Sequence, residues 1–421
     1  MKYLKMKKLF TILTVTAFVI ASCEKEKGPQ DMTLSGGNVS GVWEKGSVIT
    51  VNGHLTIPEG ESLLIEEGVT VLMNDTAIGQ EILVFGNLYC KGTASNPVVF
   101  TVPEDKRKTA GGPFQRLWGG ILCAESSKEF FMEYTIMEYT GYVTTEDSPS
   151  VKAGLFKASA GEGLPAVNFK NNVDGKVVII NSTFRNLGED CFYLEGGKII
   201  IANNTIYSQG ETGGDAINLK AGCIADVCFN VVYSPNTNAL KLSNSGDRTP
   251  QCHVVGYNNT IVNAGWRRPT VKGGGIWLEA GVYAELWNNL HINCRFAIKN
   301  NSKEPADTRS TYNYSYYYGY TQECVDNFQP GVKDVVRGTN DVAGTTAGSN
   351  DPMVENYPLG TNVNNAVFNT SWDFHLKAGS PALTGGNTSF TRNFSTNGIV
   401  IKGVTYTSPA PRAHFGALGL K

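Results

Sequence analysis

The feature that most constrains the fold is a repeat in the middle of the chain. From Lys176 onward, five segments can be laid over one another: KVVIINSTFRN, KIIIANNTIYS, IADVCFNVVYS, HVVGYNNTIVN and YAELWNNLHIN. Each is rich in β-branched residues and ends in a polar step. One polar position recurs at intervals of 22 to 30 residues, and its members are Ser182, Asn204, Asn230, Asn259 and Asn289. Such periods are typical of a solenoid.

A second strand follows in every repeat: CFYLEGG, AINLKAG, ALKLSNS, GIWLEAG and FAIKNNS. Apolar and polar residues alternate there, so one side of each strand should face a core. The predicted inward residues are Phe192, Leu194, Ile217, Leu219, Leu240, Leu242, Ile276 and Leu278. One coil cannot bury its own apolar side, so we expect successive coils to stack with parallel strand pairing. The asparagines would then bond from coil to coil at a turn, a structural role.

The N-terminal half also predicts stacked parallel strands, but through a different residue pattern. Alternating strands of the form L.I..G..L.I..GV.V are followed by G.L...GT..NPVVFT and WGGI, over about residues 46 to 140. This resembles the opening coils of bacterial surface β-helix proteins. Near the C-terminus, NDPMV and then DFHLKAGSPALTGG are similar to the closing segment of secreted β-helix proteins and polysaccharide lyase relatives. The resemblance implies a pectate-lyase-like architecture; no catalytic motif matches residue by residue, so no catalytic residue is carried over.

The start of the chain predicts secretion and lipidation. Lysines precede an apolar run, Leu9–Ala21, which is shorter than the roughly 20 residues of a membrane-spanning helix. The following Ser22 and Cys23 complete a segment that resembles a lipobox, in which the cysteine becomes the lipid-modified N-terminus. We therefore expect an outer-membrane lipoprotein exposed at the cell surface, attached to the membrane through this lipid only.

Length and composition restrict which folds and ligands are expected for this chain. The chain has 421 residues, of which 18% are charged and 47 are glycine. It is longer than one ordinary hydrophobic core allows, and the composition favours an elongated repeat over several domains. A formal net charge of −2 gives no electrostatic footprint for nucleic acid. Eight cysteines remain after Cys23; disulfides are possible, but buried unpaired thiols fit the repeat better.

These observations predict an all-β protein, a single-stranded right-handed parallel β-helix with an irregular C-terminal cap. The expected divisions are a signal peptide at 1–22, a flexible tether at 23–40, the β-helix at 41–303, and C-terminal loops with a closing segment at 304–421. The tyrosine-rich stretch at 310–320 is either a packed cap or a ligand-facing loop, and we favour the cap because an open solenoid end must be covered. We expect a monomer.

The outward side of the second strand is the candidate binding surface. Aromatic rings can stack on sugars, while amides and charged groups bond hydroxyls and uronates. The candidate substrate-binding residues are Tyr193, Glu195, Asn218, Trp277 and Glu279. The sequence therefore predicts a surface protein that binds or scaffolds extracellular polysaccharide.

Two alternatives stay open at this point. One is a polysaccharide lyase that acts by β-elimination on a uronate glycan, with Lys220 or Lys241 as the base. Asp190 and Asp215, near Glu189, would hold Ca²⁺ as the only candidate cofactor. In that case, arginines on the following loops would lie nearby: Arg248, Arg267 and Arg268. The other alternative is a structural adhesin, for which charges such as Glu195 and Lys220 are ordinary surface ion pairs.

Overall fold

The computed structural model describes residues 28–107, 112–211, 213–270 and 272–421. The predicted signal peptide at 1–22 and the lipidated Cys23 lie outside the described residues. No helix in the described part of the chain is long and apolar enough to cross a membrane.

Three long parallel sheets form the body of the described chain, with 11, 10 and 10 strands. Sheet A contains Met32–Leu34, Val48–Val51, Thr70–Met73, Val98–Thr101, Thr135–Glu138, Thr183–Leu187, Thr205–Gln209, Val231–Pro235, Thr260–Val262, Leu290–Ile292 and Tyr316–Tyr318. Sheet B contains Gly37–Asn38, Leu55–Ile57, Glu81–Val84, Gly120–Cys123, Val167–Phe169, Phe192–Leu194, Ile217–Leu219, Asn238–Ser243, Gly274–Glu279 and Ile298–Asn300. Sheet C contains Gly41–Trp43, Ser62–Ile65, Asn87–Lys91, Glu129–Glu133, Lys176–Ile180, Gly197–Ala202, Cys223–Cys228, His253–Tyr257, Tyr283–Trp287 and Thr311–Asn313.

The chain visits the sheets in the order A, B, C and then begins the next coil. Each strand pairs in parallel with its equivalent one coil later, as Phe192 with Ile217 and Ile217 with Leu240. All eight residues predicted to face inward are at most 1% exposed and belong to one continuous core. The prediction of a right-handed parallel β-helix is confirmed.

The asparagine ladder forms at the corner between sheets C and A. The Oδ1 of Asn204 accepts from the backbone N–H of Ser182 at 2.9 Å, and Asn230 and Asn259 repeat this contact in the next coils at 3.0 and 3.1 Å. Each amide also donates inward, as Asn230 does to the carbonyl of Ile201 at 3.0 Å. Position 203, just before the ladder, has a φ of 58°, which asparagine tolerates better than most residues. The ladder therefore satisfies the polar backbone groups of a buried corner.

Parallel pairing begins and ends outside the predicted boundaries. The first strand, Met32–Leu34, lies within the stretch predicted as a tether, and the last, Tyr316–Tyr318, lies beyond residue 303. The tyrosine-rich stretch is packed, as favoured from the sequence: Tyr317 points inward against Phe328, with ring centroids 5.7 Å apart. The short helix Gln322–Asp326 then helps to close this end of the solenoid.

The last part of the chain runs back along the solenoid, and we call residues 354–421 the return segment. It contains two antiparallel hairpins, Val354–Asn356 with Asp373–Leu376 and Ile399–Ile401 with Val404–Tyr406. The remaining helical turns of the described chain are Glu104–Lys106, Pro149–Lys152 and Pro381–Leu383. The return segment packs on the outer faces of sheets A and C and forms a second apolar core there.

The cysteines are buried and unpaired, as the sequence favoured. All eight in the described chain are free thiols: Cys90, Cys123, Cys191, Cys223, Cys228, Cys252, Cys294 and Cys324. Most belong to the interior core, where a thiol packs as a small apolar group.

Candidate functional site

The outward residues of sheet B form a single column across six coils, because each strand pairs in register with the next. The column contains Asn168, Tyr193, Asn218, Lys241, Trp277 and Lys299. Residues beside it complete the surface that we call the polar face: Asp190, Glu195, Asp215, Lys220 and Glu279. All the candidate residues of sheet B predicted from the sequence thus lie on one side of the solenoid.

Glu279 contacts three neighbouring side chains in the later coils of the polar face. Its Oε2 accepts from the Nζ of Lys272 at 2.8 Å and from the indole of Trp277 at 2.7 Å, and its Oε1 lies 3.6 Å from the Nζ of Lys241. Burial acts to raise the pKa of Glu279, but these hydrogen bonds and the Lys241 charge outweigh it and lower the pKa to about 2. Glu279 is therefore a fixed anion that orients its neighbours.

Two carboxylates stand together at the start of the sheet B strands. The Oδ1 of Asp190 accepts from the backbone N–H of Asp215 at 2.7 Å, and the Nδ2 of Asn218 lies between the carboxylates, 3.1 Å from Asp190 and 3.4 Å from Asp215. Asn238 donates to Asp215 from its side chain at 2.7 Å. Burial and the Asp215 charge raise the pKa of Asp190 to about 7. This carboxyl can therefore hold or release a proton near neutral pH.

The carboxylate pair does not fit a calcium site. Calcium is usually held by six to eight oxygen ligands, but the oxygens of Asp190 and Asp215 are occupied by amide donors, and the Nζ of Lys241 lies 4.0 Å from Asp215. No group of three or more histidine, cysteine or acidic side chains in the described ranges is arranged to hold a metal ion.

Lys220 is a largely buried charge on the polar face, and the more distant carboxylates of Glu279, Asp215 and Asp190 compensate it only in part. The residue is 7% exposed, and no described carboxylate lies within ion-pairing distance of its Nζ, which sits 5.5 Å from the ring centroid of Tyr193. Burial, and then the positive charge of Lys241, lower the pKa of Lys220 to about 8. The ion pair between Glu195 and Lys220 considered from the sequence does not form, because Glu195 lies instead 3.6 Å from the Nη1 of Arg248.

The aromatic residues of the polar face do not form an open platform. Trp277 is 2% exposed, with the Nζ of Lys272 5.5 Å from its ring centroid. Phe156 contacts Tyr193 edge to face at 5.1 Å. Phe156 belongs to the loop at 143–165, which covers Leu83 and Leu122 of the earlier coils. The loop covers the outer face of sheet B in the earlier coils. The polar face is the uncovered part in the later coils, where charged and amide groups dominate.

The three arginines that the lyase alternative places near the site do not lie together in the structure. Arg248 lies at the polar face and donates to Asn171 at 2.9 Å. Arg267 lies at another corner, where its guanidinium donates to backbone carbonyls of Gln209, Gly210 and Ser234, and Arg268 is exposed. Only the first of the three can assist chemistry on this face. Glu189 pairs with Arg116 at 3.1 Å.

Sequence reasoning missed four contributors to this face. Asn168 and Lys299 continue the column by one coil at each end, and strand alternation extended by one repeat could have found them. Asn238 immediately precedes the predicted strand ALKLSNS, and its contact with Asp215 joins two successive coils. Lys272 comes from a loop, and no periodicity marks its position.

Comparisons with protein-family models, curated proteins and solved structures found no match for this chain. The proposed function therefore rests on the residues of the polar face.

Proposed function

We propose that this protein binds an acidic polysaccharide, a polymer carrying uronate carboxylates, along the polar face of sheet B. The observation that carries the proposal is Lys220, a largely buried ammonium group with no carboxylate partner among the described residues. A buried charge is costly unless it is paired, so an anionic ligand would supply what the fold omits. A uronate carboxylate has the required charge.

Unpartnered acceptors on the same face support a sugar ligand. The Oδ1 atoms of Asn168 and Asn218 and the Oε2 of Glu195 are buried and find no hydrogen-bond partner in the part of the chain that the structure describes. Such atoms are rare in native proteins and call for a specific reason. Sugar hydroxyl groups are donors that can satisfy them, whereas a bare inorganic anion offers no such donors.

Membrane attachment through a lipid and a pectate-lyase-like architecture are part of the same proposal. A lipid on Cys23 and a pectate-lyase-like architecture would place the polar face at the cell surface, where extracellular polysaccharide is met. In this arrangement the β-helix provides a rigid, extended ligand surface, and the lipid provides the only membrane attachment.

Replacement of Lys220 tests the binding proposal. Soluble protein without residues 1–23 is titrated with pectin, alginate and a glycosaminoglycan, with dextran as a neutral polymer. Lys220→Met should weaken binding to the acidic polymer at least about tenfold, because a hydrogen bond to a charged group contributes about 1.5–3 kcal/mol. The matched control is Lys198→Met, which removes an exposed lysine of sheet C. Absence of binding to every acidic polymer would reject the proposal.

The lowered pKa of Lys220 favours a second candidate function, cleavage of the bound chain by β-elimination. The neutral amine of Lys220 would take the proton from the carbon beside the uronate carboxylate. The released electron pair would form a carbon–carbon double bond as the glycosidic bond breaks, and the leaving oxygen would take a proton from water. Lys241, whose pKa is raised because Asp215 and Glu279 outweigh the effect of burial, would remain cationic and stabilise the developing charge.

The pH dependence separates the two functions. Binding uses protonated Lys220, so affinity should fall as the pH rises through about 8. Cleavage uses the neutral amine, so the rate should rise over the same interval. Cleavage is measured as the ultraviolet absorbance of the unsaturated uronate product. Binding without new absorbance at any pH would exclude the elimination and leave the binding proposal intact.

A further inference from the structure

A second charged cleft lies on a different side of the solenoid, at the outer face of sheet A. Its volume is about 330 Å³, within the range of small-molecule sites. Its lining includes Arg107, Glu138, Arg185, Tyr207 and Phe368. We call it the arginine cleft. Glu138, Arg185 and Tyr207 are neighbours in register on three successive coils, so rigid strands hold them in place.

The charges of the arginine cleft do not balance. Glu138 is 3% exposed, and its Oε2 accepts from the Nε of Arg185 at 2.6 Å. Its Oε1 accepts from the hydroxyl of Thr101 at 2.6 Å and lies 3.4 Å from the Nη2 of Arg107. Among the described lining residues, one carboxylate thus holds two guanidinium groups, which leaves one excess positive charge.

Each guanidinium group is held by several contacts, and Arg107 also donates to the hydroxyl of Thr101 at 2.8 Å and lies 5.1 Å from the ring centroid of Tyr139. Arg107 donates to the carbonyl of Val102 through Nε at 3.2 Å and through Nη2 at 3.0 Å. Arg185 donates to Glu138 and, through Nη1 at 3.3 Å, to the hydroxyl of Tyr207. The Nη1 of Arg107 and the Nη2 of Arg185 have no acceptor in the described part of the chain. Guanidinium groups held in this way are preorganised to bind an oxyanion.

The return segment supplies the opposite wall. Phe368 stacks on Tyr207 with ring centroids 4.2 Å apart, and Ser208 donates to the carbonyl of Ala366. The cleft therefore exists only when the return segment is docked, and its wall is aromatic while its floor is cationic.

We propose that the arginine cleft is a second ligand site, which takes the carboxylate or sulfate group of a single acidic sugar between Arg107 and Arg185. The site is independent of the polar face of sheet B. It adds recognition of one anionic residue or chain end to the binding of a polymer elsewhere on the solenoid.

Titration of the same soluble protein with monosaccharides tests this proposal. The probes are galacturonate for a carboxylate, galactose 6-sulfate for a sulfate ester, and galactose as the neutral control. We expect saturable binding of one or both charged sugars and none of galactose. Arg185→Gln should weaken binding at least about tenfold, whereas Lys198→Met, at an exposed position on sheet C, should leave it unchanged.

Arg185 also pairs with the buried carboxylate of Glu138, so its replacement also affects folding. A second variant therefore separates lost binding from misfolding. Arg107→Gln leaves the Arg185 contact with Glu138 in place and should likewise weaken binding, with the melting temperature of each variant measured alongside. Absence of binding by both charged sugars would overturn the proposal. So would wild-type affinity in Arg107→Gln, or an equal loss of binding in Lys198→Met.

Discussion

The outer faces of the solenoid differ sharply. On sheet C the outward positions are largely aromatic or aliphatic, as at Phe131, Val178 and Ile200, and the return segment covers them. Tyr406 of its second hairpin packs on Phe131 with ring centroids 4.9 Å apart. On sheet B the equivalent outward column is mainly polar, and the return segment does not pack on it. The same strand geometry therefore supports either a second core or a charged face.

The difference supports the proposed function of the sheet B face. A β-helix coil needs only its inward residues to stack, so its outward residues are free to serve other purposes. Covering an apolar face stabilises the protein through burial. Lys220 and Asp215 are each only 7% exposed; desolvating charged groups carries an electrostatic cost, which a ligand would offset.

The largest expected effect tests how the covered face is held. Asp226 of sheet C accepts from the backbone N–H groups of Asn393 and Phe394 at 3.0 and 2.9 Å, and from the hydroxyl of Ser408 at 2.6 Å. Asp226→Ala should lower the free energy of unfolding by about 3–5 kcal/mol, because it leaves several buried donors without an acceptor. Urea unfolding measures this loss, and limited proteolysis should show release of the return segment.

Asp247→Ala is the matched control for that variant, because Asp247 is an exposed loop residue. Equal stability of Asp226→Ala and Asp247→Ala would contradict the role of Asp226 as the anchor of the covered face.

An intermediate effect is expected at the corner that joins sheets C and A. Asn230→Ala removes the donations to Ile201 and Asn259 and the acceptor used by Asn204. The free energy of unfolding should fall by about 2–4 kcal/mol, as measured by chemical denaturation. Asn364→Ala, at an exposed position, serves as the control. A loss as small as that of the control would mean that stacking of the apolar interior alone holds this corner.

The smallest effect on stability is expected on the open face. Lys241→Met should change the free energy of unfolding by about 1 kcal/mol or less, since Asp215 and Glu279 keep other donors. It should raise the pKa of Lys220, because the neighbouring positive charge that helps to lower it is gone. The midpoint of the pH dependence of binding should therefore move upward, with Lys198→Met unchanged. A downward shift would contradict the coupling.

The sequence predicted much of the fold because strand side chains alternate and the repeat fixes which residues are equivalent. The inward residues, the asparagine ladder and the alignment of Tyr193, Asn218 and Lys241 all follow from that periodicity. The sequence did not predict the burial of Trp277 or the pairing of Glu195 with Arg248. Both depend on side chains from loops, whose positions no period specifies.

The sequence by itself determined the solenoid, its apolar interior and the side on which the candidate residues lie, since nearest-neighbour stacking needs only local alternation and a repeat. Tertiary structure alone decided which outer faces are covered, that Lys220 has no carboxylate partner within the described ranges, and that Arg107 and Arg185 share one carboxylate. Those outcomes depend on where the return segment and the long loops dock. Docking is set by the complementarity of surfaces far apart in the chain, which a local pattern does not encode.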